Sequence, residues 1–319
     1  MSAEAQGSGQ YRPPAPRRIR ERIELAGARV PWRVKLIVVY TLIGVVFVVA
    51  FNFVQFDVAW MREHAWDIIR AGIPLTLLIC VGAIVLATIL ALLGALARLS
   101  RNPLAFGVAG FYTSFFRGTP LLVQIFLIYF GLAEVGIRLQ QAGYGGISNL
   151  FILEPVPAGI LALGLNYGAY MTEIFRAGIQ SVGHGQAEAA EALGMTYRQK
   201  MRRVVLPQAV RMIIPPTGNE FIAMLKDSAL VYTIGALELF RQADLAGRAD
   251  FRSLEAYLLA AGVYWVLTGI FSLFQGRLER RMSRGYVRAV QRGGGPKRVR
   301  PTAQPGIVAP EPVVGAQRE

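Results

Sequence analysis

Four ionisable side chains stand inside otherwise apolar stretches: Arg117, Glu173, Lys226 and Asp227, with Asn219 and Glu220 on the approach to the last pair. Such groups cost on the order of 2.5–3.5 kcal/mol each at the centre of a bilayer, so each wants a partner or a wet cavity. Lys226 and Asp227 are chain neighbours; on a helix they point about 100° apart and cannot simply neutralise each other. A cavity offering one cation and one anion suits a ligand with one carboxylate and one ammonium. The competing reading is an internal network, for example Lys226 with Glu220 or Glu173. Covalent chemistry finds little footing. Cys80 is the only cysteine, and His64 and His184 are the only histidines, so no disulfide, thiolate cluster or paired-histidine metal site is expected. No G-x-x-x-x-G-K-[ST] run and no G-x-S-x-G turn occurs, which leaves the chain without a P-loop or a nucleophile elbow.

The elements that must hold these residues are apolar helices. The chain has 319 residues, 54% hydrophobic and 17% charged, with mean hydropathy +0.41, against about 25% charged in soluble domains. A bilayer core of about 30 Å needs about 20 apolar helical residues. Six segments answer: 36–56, 75–96, one within 106–132 interrupted by Arg117-Gly118-Thr119-Pro120, 156–175, one from about 208 to 237 broken by Pro215-Pro216, and 256–275. Gly82 and Gly94 are expected to let helices approach closely. Residues 1–35 hold eight Lys/Arg against three Glu, and 276–319 hold ten against three, so the net charge of +14 sits almost wholly in the tails. Two basic tails flanking a near-neutral apolar body point to a membrane protein rather than a nucleic-acid binder. They place both termini in the cytoplasm, which an even number of spans allows. The basic tails, 1–35 and 283–319, are expected to be disordered, since residues 1–16 and 292–319 are rich in Gly, Pro, Ala and Gln with few bulky apolar residues.

The longest inner loop between spans, 176–211, is expected to form two short helices. Gln186–Leu193 is a run of helix formers, Gly194 permits a break, Thr196 can cap the second helix, and Pro207 is expected to close it. On periodicity alone this is an amphipathic interfacial segment. Its spacing is more specific: Glu188-Ala189-Ala190, then Gly194, then Val204-x-Leu206-Pro207 resembles the E-A-A-x3-G-x9-I-x-L-P loop of ABC-importer permeases, with Val in place of Ile. Residues 115–132 (FFRGTPLLVQIFLIYFGL), Asn166-Tyr167-Gly168-Ala169-Tyr170 with Glu173 and Arg176, and Pro215-Pro216 with Asn219 and Lys226-Asp227-Ser228 are similar to the polar amino-acid uptake branch. The chain departs from that pattern at Ser228-Ala229, where Thr-Ser is usual, and at Gly183-His184, where Pro-Lys is usual.

The resemblance covers roughly 67–282 and implies an all-α integral membrane protein of six spans: a five-span type I ABC-importer core plus an additional first span, 36–56. It implies a non-enzymatic permease subunit for polar amino acids in a bacterial inner membrane. The loop 183–207 would dock on an ABC ATPase, present in two copies, which carries ATP and Mg. A second permease subunit, identical or related, would complete the pathway, and an extracytoplasmic binding protein would deliver the amino acid. The chain itself would bind no cofactor. The alternative is an ATP-independent carrier or channel that uses the intramembrane charges for ion coupling; an inverted repeat would favour it, and none is visible between the halves.

Overall fold

A computed structural model describes residues 31–182 and 184–292. Most of the N-terminal tail, Gly183 and the end of the C-terminal tail lie outside the described residues, and so does the expectation of disorder there. All regular structure among the described residues is helical. The chain divides into two compact units at Val58. The first contains α1, Trp32–Val54, a helix without an ionisable residue beyond Lys35 that ends on Gln55 in the left-handed region (φ 56°). The second contains α2 (Val58–Arg98), α3 (Pro103–Gly118), α4 (Leu121–Gln141), α5 (Pro155–Gln180), α6 (His184–Ala192), α7 (residues 197–227), α8 (Leu239–Ala249) and α9 (Ser253–Arg292).

Four of these helices are long and apolar enough to cross a membrane: α1, α2, α4 and the Ser253–Met282 part of α9. The segments expected as fourth and fifth spans are helical, as α5 and α7, but too polar to join that set. The reason lies in what surrounds them. A helix enclosed by protein need not be apolar all round, and α5 is enclosed: 13 of its residues are buried, among them Asn166, Tyr167 and Thr172. It packs against α3, α4 and α7. Ala83, Ala87, Ala91 and Ala95 of α2 form a four-residue ladder of fully buried alanines in the same core. Gly94 lies so near α5 that a Cβ there would sit 2.4 Å from Thr172 Oγ1, and one on Gly82 would sit 2.9 Å from Ile160 Cδ1. Small residues at helix contacts are how bundles pack where lipid supplies no hydrophobic drive.

The interruption expected in the third segment is present, and two expected helix ends are corrected. The interrupted third segment is two helices, because Thr119-Pro120 ends α3 and Pro120 precedes the first turn of α4; the length sufficient to cross belongs to α4 alone. Pro207 does not close a helix, since α7 runs on through it: a π-turn, Met201–Val205, opens the winding just ahead, with Leu206 N–H donating to Met201 O. The wider turn accommodates a proline ring that would otherwise strike the carbonyl four residues back. The sixth helix does not stop near 275 but continues to Arg292, past the expected start of the tail.

Candidate functional site

The Thr119-Pro120 break creates the site. The last carbonyls of α3 have no intrahelical partners, and in a membrane they must find some within the protein. Gln124, 1% exposed, supplies them: its Nε2 donates to Phe116 O (2.8 Å), Thr119 O (3.1 Å) and Thr119 Oγ1 (2.7 Å). Asn166 Nδ2 of α5 donates to Phe116 O (3.1 Å) and to Gln124 Oε1 (3.0 Å). The two amides thus pin the break against α5. Beside them opens a cavity of about 380 Å³ lined by Thr119, Pro120 and Leu121 at the break, Asn166, Tyr167 and Tyr170 of α5, and Glu220 and Asp227 of α7.

Its polar character comes mostly from α7. Glu220 and Asp227 are seven residues apart, so both fall on the face turned to α5. Tyr167 Oη donates to Asp227 Oδ2 at 2.8 Å, leaving the other carboxylate oxygen outside that bond. No cationic side chain lines the cavity; Arg117 stands at its edge, exposed, with Cζ 5.4 Å from the centre of the Tyr170 ring. Asn219 and Lys226 make a second row, also seven apart, and both are exposed. Glu173 belongs elsewhere: it pairs with Arg176 (2.7 Å) and Arg98 (3.6 Å). Of the six charged or amide groups singled out from the sequence, the structure brings Glu220 and Asp227 together in the cavity and sets Arg117 beside it.

Around Pro215-Pro216, α7 is held by α9. Gln275 Nε2 donates to Pro215 O at 2.6 Å, and a Cβ on Gly218 would lie 1.8 Å from Gln275 Oε1. Thr217 Oγ1 donates to Ile213 O at 2.9 Å. α7 therefore passes Pro215-Pro216 unbroken, with side-chain donors around the prolines.

The second site is the short helix α6. It ends in a Schellman motif: Met195 N–H donates to Ala190 O and Gly194 N–H to Glu191 O, with Gly194 at φ +73°. That left-handed residue is why glycine stands there. Thr196 then starts α7 with a capping box, its Oγ1 accepting from Gln199 N–H and its own N–H donating to Gln199 Oε1. Between the two caps the chain turns sharply and presents Glu188, Ala189 and Leu193 (77% exposed), while Ala190 is buried. Val204 is half-buried, and Leu206 and Pro207 are exposed.

A family model described as the binding-protein-dependent transport system inner membrane component matches residues 83–284. The chain belongs to this family. The probable amino-acid permease protein YxeN of Bacillus subtilis (strain 168) is 40% identical over 222 residues, 70% of this chain and 94% of that protein. The L-cystine transport system permease protein TcyB of the same organism is 39% identical over 226 residues, 70% of this chain and 90% of that protein. A crystal structure of an amino acid ABC transporter with histidines aligns with a TM-score of 0.62 at 40% identity, covering 70% of this chain and 98% of that one. These likenesses do not favour the carrier alternative.

For this permease the sequence reading quoted Thr119, Gln124, Asn166, Tyr167 and Tyr170 only within family-like segments and did not name them as site residues. Two signals could have found them. Asn166 and Tyr170 are spaced i, i+4, and share an α5 face with neighbouring Tyr167. Gln124 lies one turn past a proline break whose free carbonyls call for an amide.

Proposed function

We propose that this permease forms the membrane pathway of an ATP-driven importer of polar amino acids. The cavity carries this reading: two carboxylates, one amide and two phenol rings, with no cation of the chain's own lining it. An ammonium group is the natural occupant, held by Asp227 and Glu220, while Arg117 at the edge meets the carboxylate. About 380 Å³ falls in the range of small-ligand pockets, about 300–1,000 Å³. The exposed row Asn219 and Lys226 faces a second permease subunit, of the same or a related chain, across the pathway. Glu188, Ala189, Ala190 and Gly194, followed by Val204, Leu206 and Pro207, form the docking element for one of two ATPase subunits that hold ATP and Mg. An extracytoplasmic binding protein delivers the amino acid to the outer loops. In this reading α5 and α7 cross the membrane together with the four apolar helices, which makes six spans with both termini inside. ATP can drive the cycle only by binding one arrangement of the pair better than the other.

The test is reconstitution in liposomes with the ATPase and the binding protein. ATP-dependent uptake of a panel of radiolabelled amino acids is expected for the wild type and lost for Glu188→Arg with normal insertion. Uptake that ignores ATP and survives Glu188→Arg overturns the assignment of α6.

A further inference from the structure

At the start of α7, Arg198, Gln199, Arg202 and Arg203 line a groove of about 420 Å³. Arg202 and Arg203 of this lining belong to the π-turn Met201–Val205. None of the three arginines enters an ion pair among the described residues. Lys200, in the midst of this run, does: it bonds Glu191 of α6 and lies over the Tyr197 ring. The one basic side chain that faces the docking helix is thus neutralised from within, and the three that face the groove are not. Past the groove the same helix presents Leu206 (37% exposed) and Val210 (46% exposed). From Arg202 to Val210 is about 12 Å along a helix, the step from headgroup level to acyl chains.

We infer that this groove binds the phosphate headgroup of an anionic phospholipid of the inner leaflet, its acyl chains lying along Val210, beyond the docking element. Arginine forks suit phosphate oxygens. The apolar continuation of the helix selects a lipid over a free anion or an acidic protein surface. The inference takes only the choice of leaflet from the transport reading, and its lipid-binding measurements need neither ATPase nor amino acid.

The full-length chain, purified in a neutral detergent, is titrated with phosphatidylglycerol or with phosphatidylcholine of the same acyl chains, and bound lipids are counted by native mass spectrometry. Phosphatidylglycerol is expected to be retained where phosphatidylcholine is shed. The triple variant Arg198→Gln, Arg202→Gln, Arg203→Gln should weaken phosphatidylglycerol binding about a hundredfold, from about 1 kcal/mol per basic residue near the surface. The corresponding triple Lys variant keeps the charges and should keep the lipid preference, which separates loss of the site from loss of the fold. Equal phosphatidylglycerol binding by wild type and the Gln variant overturns the inference. So does inorganic phosphate displacing the lipid at equal concentration, which marks a free-anion site. Retained lipid with lost ATPase co-purification assigns the groove to protein docking instead.

Discussion

At the residue scale the site turns on one hydrogen bond. Tyr167 holds Asp227 at 2.8 Å, fixing the carboxylate on the cavity side of α7. Tyr167→Phe removes that bond without opening a void. A hydrogen bond to a charged group is worth about 1.5–3 kcal/mol, so half-saturation of uptake should rise at least about tenfold at unchanged membrane abundance, measured as initial rates against amino-acid concentration. Lys226→Met tests the outer row: uptake should fall while insertion is preserved, and unimpaired uptake removes Lys226 from the pathway. Part of this was legible beforehand. The i, i+7 spacing of Glu220 and Asp227 is enough to place them together and to turn Lys226 away. Glu173 was not legible, because its partner Arg98 is on another helix and no spacing within one helix reveals such a pair.

At the element scale the caps and breaks could be read and the adjustments around prolines could not. Gly194, Thr196 and the Thr119-Pro120 break follow from local chemistry, which the chain states in three or four residues. The π-turn before Pro207 and the unbroken passage through Pro215-Pro216 depend on neighbours. Gly218 and Gln275 give the measure of that dependence. A methyl at Gly218 strikes the Gln275 amide at 1.8 Å and displaces its bond to Pro215 O. Gly218→Ala should cost about 1–3 kcal/mol, read as a lowered melting temperature in detergent, and Gly218→Ala with Gln275→Ala should recover part of it; an additive double variant would sink this account. Helix α8 escaped the sequence reading because it is short and polar on one side. It is capped by Glu238, which accepts from Phe240 and Arg241 N–H. Burial alone would raise the pKa of Asp244, but hydrogen bonds from Arg248 and Tyr257 and the charges of Arg248 and Arg241 bring it below the usual carboxylate value. A depressed folded-state pKa means stabilisation that is present above the unfolded value of about 3.9 and is lost as pH falls through the folded one. Melting curves between pH 6 and pH 3, chosen as roughly bracketing that value, should therefore decline less steeply for Asp244→Asn than for the wild type.

At the scale of the whole molecule, length and apolar composition single out four helices and pass over the two that carry polar groups into the bundle, α5 enclosed by its neighbours and α7 with Asn219 and Lys226 on an exposed face. α5 and α7, which carry the cavity, are the two expected spans too polar for the length-and-composition criterion. The same contrast bears on orientation. Counted between the tails, basic residues on the two sides are nearly balanced, yet their partners differ. On the expected outer side, which holds Arg62, Arg70, Arg138, Arg241, Arg248 and Arg252, four of the six are paired: Arg138 with Glu134, Arg241 and Arg248 with Asp244, and Arg252 with Glu255; on the inner side Arg98 and Arg176 pair with Glu173 and Lys200 with Glu191. On the expected inner side Arg198, Arg202 and Arg203 line an open groove. An anionic inner leaflet attracts unpaired basic groups at about 1 kcal/mol each, so in the proposed orientation this groove would act in the same direction as the basic tails. The chain is well suited to a direct test, because its only cysteine, Cys80, is fully buried and should resist a membrane-impermeant maleimide. Single cysteines at the exposed positions Arg138 and Phe251 should label in intact cells; single cysteines at Ser100 and Gln199 should label only after the membrane is opened. Labelling of Gln199→Cys from outside would reverse the topology and, with it, remove α6 from the reach of any cytoplasmic ATPase.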